Sequence, residues 1–98
     1  MRDHEGWNMF LELCLKAKSR SRLDALLKLF LTIEEQEHLS SRMEIIQALL
    51  EEKLPQREIS EKIQVSISQI TRGSNALKII SEDLLDFLKS CQGRCQKK

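Results

Sequence analysis

Between residues 67 and 78 the chain carries Ser68, Gln69, Thr71, Arg72, Ser74, Asn75 and Lys78. These are hydrogen-bonding groups rather than the Glu/Lys mixture of a merely solvated helix face. Gln, Ser and Thr can read base edges or phosphates, and Arg and Lys neutralise phosphates. Gln56 and Arg57 open the preceding segment, and a helix N-terminus also favours phosphate. That chemistry is recognition of nucleic acid. Nothing in the chain points to catalysis. No Ser/His/Asp or Cys/His arrangement emerges, and His4 and His38 are isolated and read as solvent-facing. The paired glutamates Glu34-Glu35 and Glu51-Glu52 fall on exposed helix turns. Cys14, Cys91 and Cys95 make an odd count, which fits a reducing cytosol. Cys91 and Cys95 have no His nearby, and a zinc site needs four ligands, so no metal is expected.

The elements that must position these residues are helical. Three Gly and one Pro in 98 residues argue against a turn-rich sandwich or barrel. Trp7, Phe10, Leu11, Cys14 and Leu15 lie on one helical face over about 4–18. Leu23, Leu26, Leu27, Phe30 and Leu31 repeat the pattern over 20–31. Leu29 adds a second apolar direction there, which suggests burial on more than one side or between two chains. Ser19 and Ser21 separate the two as caps. Thr32 and Glu35 have the spacing of a capping box and open a third helix, about 33–52, with Leu39, Met43, Ile46, Leu49 and Leu50 facing inward and Ile45 widening that face. Pro55 starts a short helix to residue 63. Ser66 caps a helix over 67–78, and Ser81 opens a last one to about 90. Residues 91–98 have no apolar period and are expected to be a disordered tail. The segments 55–63 and 67–78, with Ile59, Ile63, Val65 and Ile70 as internal apolar positions, fit a helix-turn-helix spanning about 55–78. Small Ser60 stands where the two must approach, and Gln64 replaces the usual turn glycine. Gly73, inside the second helix, costs ~1 kcal/mol against Ala and needs a local reason. The fold expected is all-α, six helices in a single domain over 1–98.

Size and charge bound the rest. The chain is 11.4 kDa with a net charge of +1. A chain this short buries roughly 60–65% of its unfolded surface alone, so a partner subunit would help. Residues 34–54 carry 2 basic and 6 acidic groups, whereas 55–80 carry 4 basic and 2 acidic. A nucleic-acid footprint must therefore be local, within 55–80, behind an acidic segment. No apolar run is long enough for a membrane span, and no membrane partner is expected.

The run Ile70-Thr71-Arg72-Gly73-Ser74-Asn75-Ala76-Leu77-Lys78 resembles the most distinctive motif of the bacterial tryptophan repressors. Gln56-Arg57-Glu58 is similar to the start of that family's helix-turn-helix, and Leu29-Phe30-Leu31-Thr32 with Arg42 to its other ligand-binding stretch. The resemblance covers about 23–90. It implies a cytoplasmic homodimer with intertwined N-terminal helices (about 4–31) that represses transcription from double-stranded operator DNA when L-tryptophan is bound as corepressor. By that resemblance Arg72 pairs with the ligand carboxylate and lies against one indole face, with Arg42 over the other. Thr32 helps hold the carboxylate, the carbonyls of Leu29 and Leu31 accept from the ammonium group, and Gly73 admits the indole edge. Ala76 stands where better-known members have a Ser near the ammonium, so one polar contact is absent. The DNA contacts it implies are Gln56, Arg57, Ile67, Ser68, Gln69, Thr71, Arg72 and Lys78.

Two other functions stay open on the residues alone. One is a helix-turn-helix DNA-binding protein that needs no ligand. The other is a small helical interaction module whose acidic helix binds a protein. Arg42 and Arg72 taken singly are also compatible with ordinary surface arginines, and Thr32 can be a cap as well as a ligand group.

Overall fold

The computed structural model describes residues 4–96, with side chains as far as Cys91. It contains six α-helices: α1 Glu5–Lys16, α2 Arg20–Phe30, α3 Ile33–Glu51, α4 Gln56–Ile63, α5 Ile67–Ile79 and α6 Glu82–Gln96. No strand occurs among the described residues. None of the helices is long and apolar enough to cross a membrane.

The helix starts follow from short polar side chains. The Arg22 N–H donates to Ser19 Oγ at 3.1 Å, and the Leu84 N–H to Ser81 Oγ at 3.1 Å. Thr32 and Glu35 close the expected capping box: the Glu35 N–H donates to Thr32 Oγ1 (3.0 Å) and the Thr32 N–H to Glu35 Oε1 (2.9 Å). Each bond satisfies an N–H that the helix itself leaves without a partner. Pro55 precedes α4 as its cap instead of being its first residue. Its carbonyl accepts from the Glu58 and Ile59 N–H groups at 3.0 and 3.1 Å, and its own φ of −67° suits that entry. Ser21 lies inside α2 and is not a cap. The last helix, expected to end at about residue 90, runs to Gln96; residues 97 and 98 of the expected tail lie outside the described ones. Residues 91–96 contain no Pro, so nothing removes a backbone donor and the helical ladder continues without an apolar face.

The chain divides into two compact units, Met1–Glu37 and His38–Lys98. In the first, Phe10 meets Phe30 edge-on with ring centroids 5.2 Å apart, and Trp7 lies 5.9 Å from Phe10. Ala17 is the one buried apolar residue among the described residues there. Of the apolar surface expected of residues 23–31, Leu29 (77%) and Phe30 (52%) lie exposed on a single chain, whereas Leu23, Leu26, Leu27 and Leu31 are half-buried.

The second unit has a small core of Ile45 from α3, Ile59 from α4 and Ile70 from α5, packed by Ala48, Leu49, Ile63 and Val65. The α4–α5 turn is drawn tight by one hydroxyl. Ser60 Oγ donates to the Val65 carbonyl at 2.6 Å, and the Ser60 carbonyl accepts from the Gln64 and Val65 N–H groups at 2.8 and 3.2 Å. Gln64 takes the left-handed conformation (φ 66°, ψ 50°) that glycine usually supplies.

Candidate ligand cavity and nucleic-acid interface

Residues on α5 recur every 3.6 positions, so they sort into three faces. Ile70 points into the core and is fully buried. Ile67, Ser68, Thr71, Asn75 and Lys78 share an exposed face. Gln69, Arg72, Gly73 and Ala76 share a third. Arg72 falls at the seam between that face and the exposed one. A neutral hydrogen-bonding surface with cations at Arg72 and Lys78 is suited to DNA, whose phosphates attract the charge and whose base edges pair with hydroxyl and amide groups. Gln56 and Arg57 add exposed groups at the N-terminus of α4, where unpaired backbone N–H groups and the helix dipole favour an anion.

The third face closes a cavity against α3. Arg42, Ile45 and Ile46 of α3 and Gln69, Arg72, Gly73 and Ala76 of α5 line a space of about 350 Å³. Small-molecule sites run from about 300 to 1,000 Å³, so it has room for one compact ligand. Two guanidinium groups and one carboxamide at an otherwise apolar space can bind a carboxylate and lie against an aromatic face. Four of the expected ligand residues, Arg42, Arg72, Gly73 and Ala76, are thus brought together.

The other three lie in the first unit, around the α2–α3 turn. Leu29 is an exposed residue of α2, Leu31 ends that helix in an extended conformation (φ −103°, ψ 140°), and Thr32 is engaged in the α3 capping box. The Leu31 carbonyl accepts a 3.2 Å bond from Gln36 Nε2. This bond was not apparent in the sequence, because an amide one turn into an acidic helix carries no signal of its own.

Gly73 has a packing reason for being glycine. A Cβ there would stand 3.0 Å from Ile45 Cγ2 and 3.4 Å from Leu49 Cδ1. Close approach of α5 to α3 therefore accounts for the mid-helix glycine before any ligand is considered. Gln69, expected among the base-reading groups, lies on the cavity and also caps α5. Its Oε1 accepts from the Ser66 N–H at 3.2 Å, and its N–H donates to Ser66 Oγ at 3.2 Å. The signal for this second role is in the sequence, since Ser66-x-x-Gln69 has capping-box spacing.

Among the described residues, no cluster of three or more His, Cys, Asp or Glu could hold a metal ion. Cys91 is half-buried, and the side chain of Cys95 lies outside the described ones.

An all-helical chain with a tight helix-turn-helix, a polar reading face and a two-arginine cavity behind it is a ligand-regulated DNA-binding protein. The family model described as "Trp repressor protein" matches residues 5–92. The chain is 52% identical over 88 residues to a Trp operon repressor homolog of Chlamydia caviae, covering 90% of this chain and 87% of that protein. It is 49% identical over 87 residues to one of Chlamydia trachomatis serovar D, covering 89% and 93% of the two chains. Against one of Histophilus somni it is 40% identical over 88 residues, covering 90% and 83%. The chain belongs to the Trp repressor family. As a member it is a regulatory DNA-binding protein that represses transcription as a homodimer with tryptophan as corepressor, and it is not an enzyme.

Proposed function

We propose that L-tryptophan occupies the α3–α5 cavity and sets the presentation of α5 to operator DNA. The observation that carries this is the position of Arg72, which lines the cavity and also adjoins the exposed polar face of α5. In this reading the Arg72 guanidinium pairs with the ligand carboxylate and lies against one face of the indole, and Arg42 lies against the other. A planar fork with fixed donors suits both tasks. Gly73 leaves the indole edge unobstructed, and Ala76 adds apolar wall without a polar contact. For Thr32 and the carbonyls of Leu29 and Leu31, the support as partners of the carboxylate and ammonium is the family resemblance. Gln56, Arg57, Ile67, Ser68, Thr71, Arg72 and Lys78 make the DNA contacts, in the cytoplasm.

A ligand shifts an equilibrium only through its differential affinity for the two arrangements. Couplings of ~1–3 kcal/mol are usual, so tryptophan should tighten operator binding roughly 5–150-fold at fixed salt. Calorimetry with tryptophan and operator titrations on two variants test the assignment. Arg42→Ala should lose tryptophan and keep weak, tryptophan-independent DNA binding, whereas Arg72→Ala should lose both. Undiminished tryptophan binding by Arg42→Ala overturns the proposed cavity.

A further inference from the structure

We propose that Gln69 is a positioning residue: through it, a ligand in the α3–α5 cavity orders the first turn of the reading helix. The inference rests on the tryptophan reading of that cavity and goes beyond it by naming the side chain that transmits occupancy.

Gln69 is a cavity-lining residue that also holds the N-terminal cap of α5. Its carboxamide oxygen accepts from the Ser66 N–H at 3.2 Å while the Gln69 backbone N–H donates to Ser66 Oγ at 3.2 Å. Ser66 Oγ in turn lies 3.0 Å from Ser68 Oγ, and Ser68 is on the exposed polar face. The cavity wall is therefore joined to the reading face through the two side chain–backbone bonds that Gln69 and Ser66 exchange and the hydroxyl contact between Ser66 and Ser68.

Gln69 is an exposed, rotamer-rich side chain, so water competes for both ends of its cap. A ligand packed against its methylene stem removes alternative rotamers and leaves the capped one. The same carboxamide cannot hold the Ser66 N–H with Oε1 and present that oxygen to a base at full strength, so the cap and base reading compete. Occupancy favours the cap, and the cap directs Ile67 and Ser68. Ordering of this kind couples two sites without requiring a large displacement.

The test measures operator affinity with and without saturating tryptophan at fixed salt, in the full-length dimer. The quantity read is the ratio of the two affinities. Gln69→Ala and Ser66→Ala should each lower that ratio roughly fivefold, the usual worth of a helix cap. Ser66 does not line the cavity, so Ser66→Ala should still bind tryptophan alone, weakened by no more than the same factor that the cap and the ligand exchange by reciprocity. Ser66→Asp, which keeps an acceptor for the Gln69 N–H, should keep the ratio. A purely structural cap would weaken both affinities together and leave their ratio unchanged, which overturns the proposal. So does a Gln69→Ala variant with the wild-type ratio and an altered preference at one base pair, the mark of a base reader. If the wild type itself shows no tightening by tryptophan, the reading of the cavity fails first, and that arm records it separately.

Discussion

A Cβ on Gly73 would stand 3.0 Å from Cγ2 of Ile45, a residue that is only 2% exposed. The contact joins the reading helix to α3 at the edge of the cavity between them. Ile45 is β-branched, and its rotamer on a helix is nearly fixed. It also packs against Ile59 and Ile70. The neighbour that would have to yield is therefore a constrained core side chain, not the free end of a flexible one.

Gly73→Ala sets two effects against each other. Replacing a mid-helix glycine with alanine gains about 1 kcal/mol of helix propensity. Forcing a methyl group into a packed core costs about 1–3 kcal/mol. With a constrained Ile45 the cost should win, and urea unfolding should show a net loss of about 1 kcal/mol. A gain of similar size would mean that α3 and α5 separate without penalty and that the glycine serves only the ligand.

Gln64 supplies the second prediction. Its left-handed conformation costs a non-glycine residue about 1–2 kcal/mol, whereas glycine adopts it freely but loses more chain entropy on folding. Gln64→Gly should therefore stabilise the protein by about 0.5–1 kcal/mol in urea unfolding. Gln64→Val should destabilise it, because a branched Cβ worsens the same clash. Neither variant touches the cavity lining, so tryptophan binding by the folded protein should be unaltered.

These two positions show what the sequence could and could not convey. The caps at Ser19, Thr32, Ser66 and Ser81 were legible, because an oxygen-bearing side chain before an apolar-periodic run has one economical use. All four accept from the N–H three residues on. The other helix ends were less legible. Lys18, Glu52 and Gln64 all have positive φ (63°, 55° and 66°), and none is a residue type that advertises it. The end of α6 was missed for the complementary reason: backbone hydrogen bonds continue a helix where no apolar face signals it. At the site, Arg42, Arg72, Gly73 and Ala76 line one cavity. Gln69 was the hard residue. A polar side chain on a helix looks equally suited to DNA and to the adjacent face until the packing partner, here α3, is known.

The last prediction concerns the charge of the reading surface. The chain as a whole is nearly neutral, at +1, so attraction to DNA must come from local cations. Arg57 lies at the N-terminus of α4 and Lys78 near the C-terminus of α5, both exposed. A side chain that neutralises one phosphate releases about one counterion. Its loss lowers the slope of log affinity against log salt by about one unit and weakens binding to every sequence alike. Arg57→Ala and Lys78→Ala should each behave so, with the operator and a scrambled duplex weakened by the same factor. Thr71→Ala should behave differently. It carries no charge, so the salt slope should stay as in the wild type, while a good base contact is worth ~1–3 kcal/mol of discrimination on the operator alone. Operator and scrambled-duplex titrations over a range of salt, with tryptophan saturating throughout, separate the two patterns. If Lys78→Ala leaves the slope untouched, the end of α5 does not reach the phosphate backbone, and the contacts at that end of the helix must be reassigned.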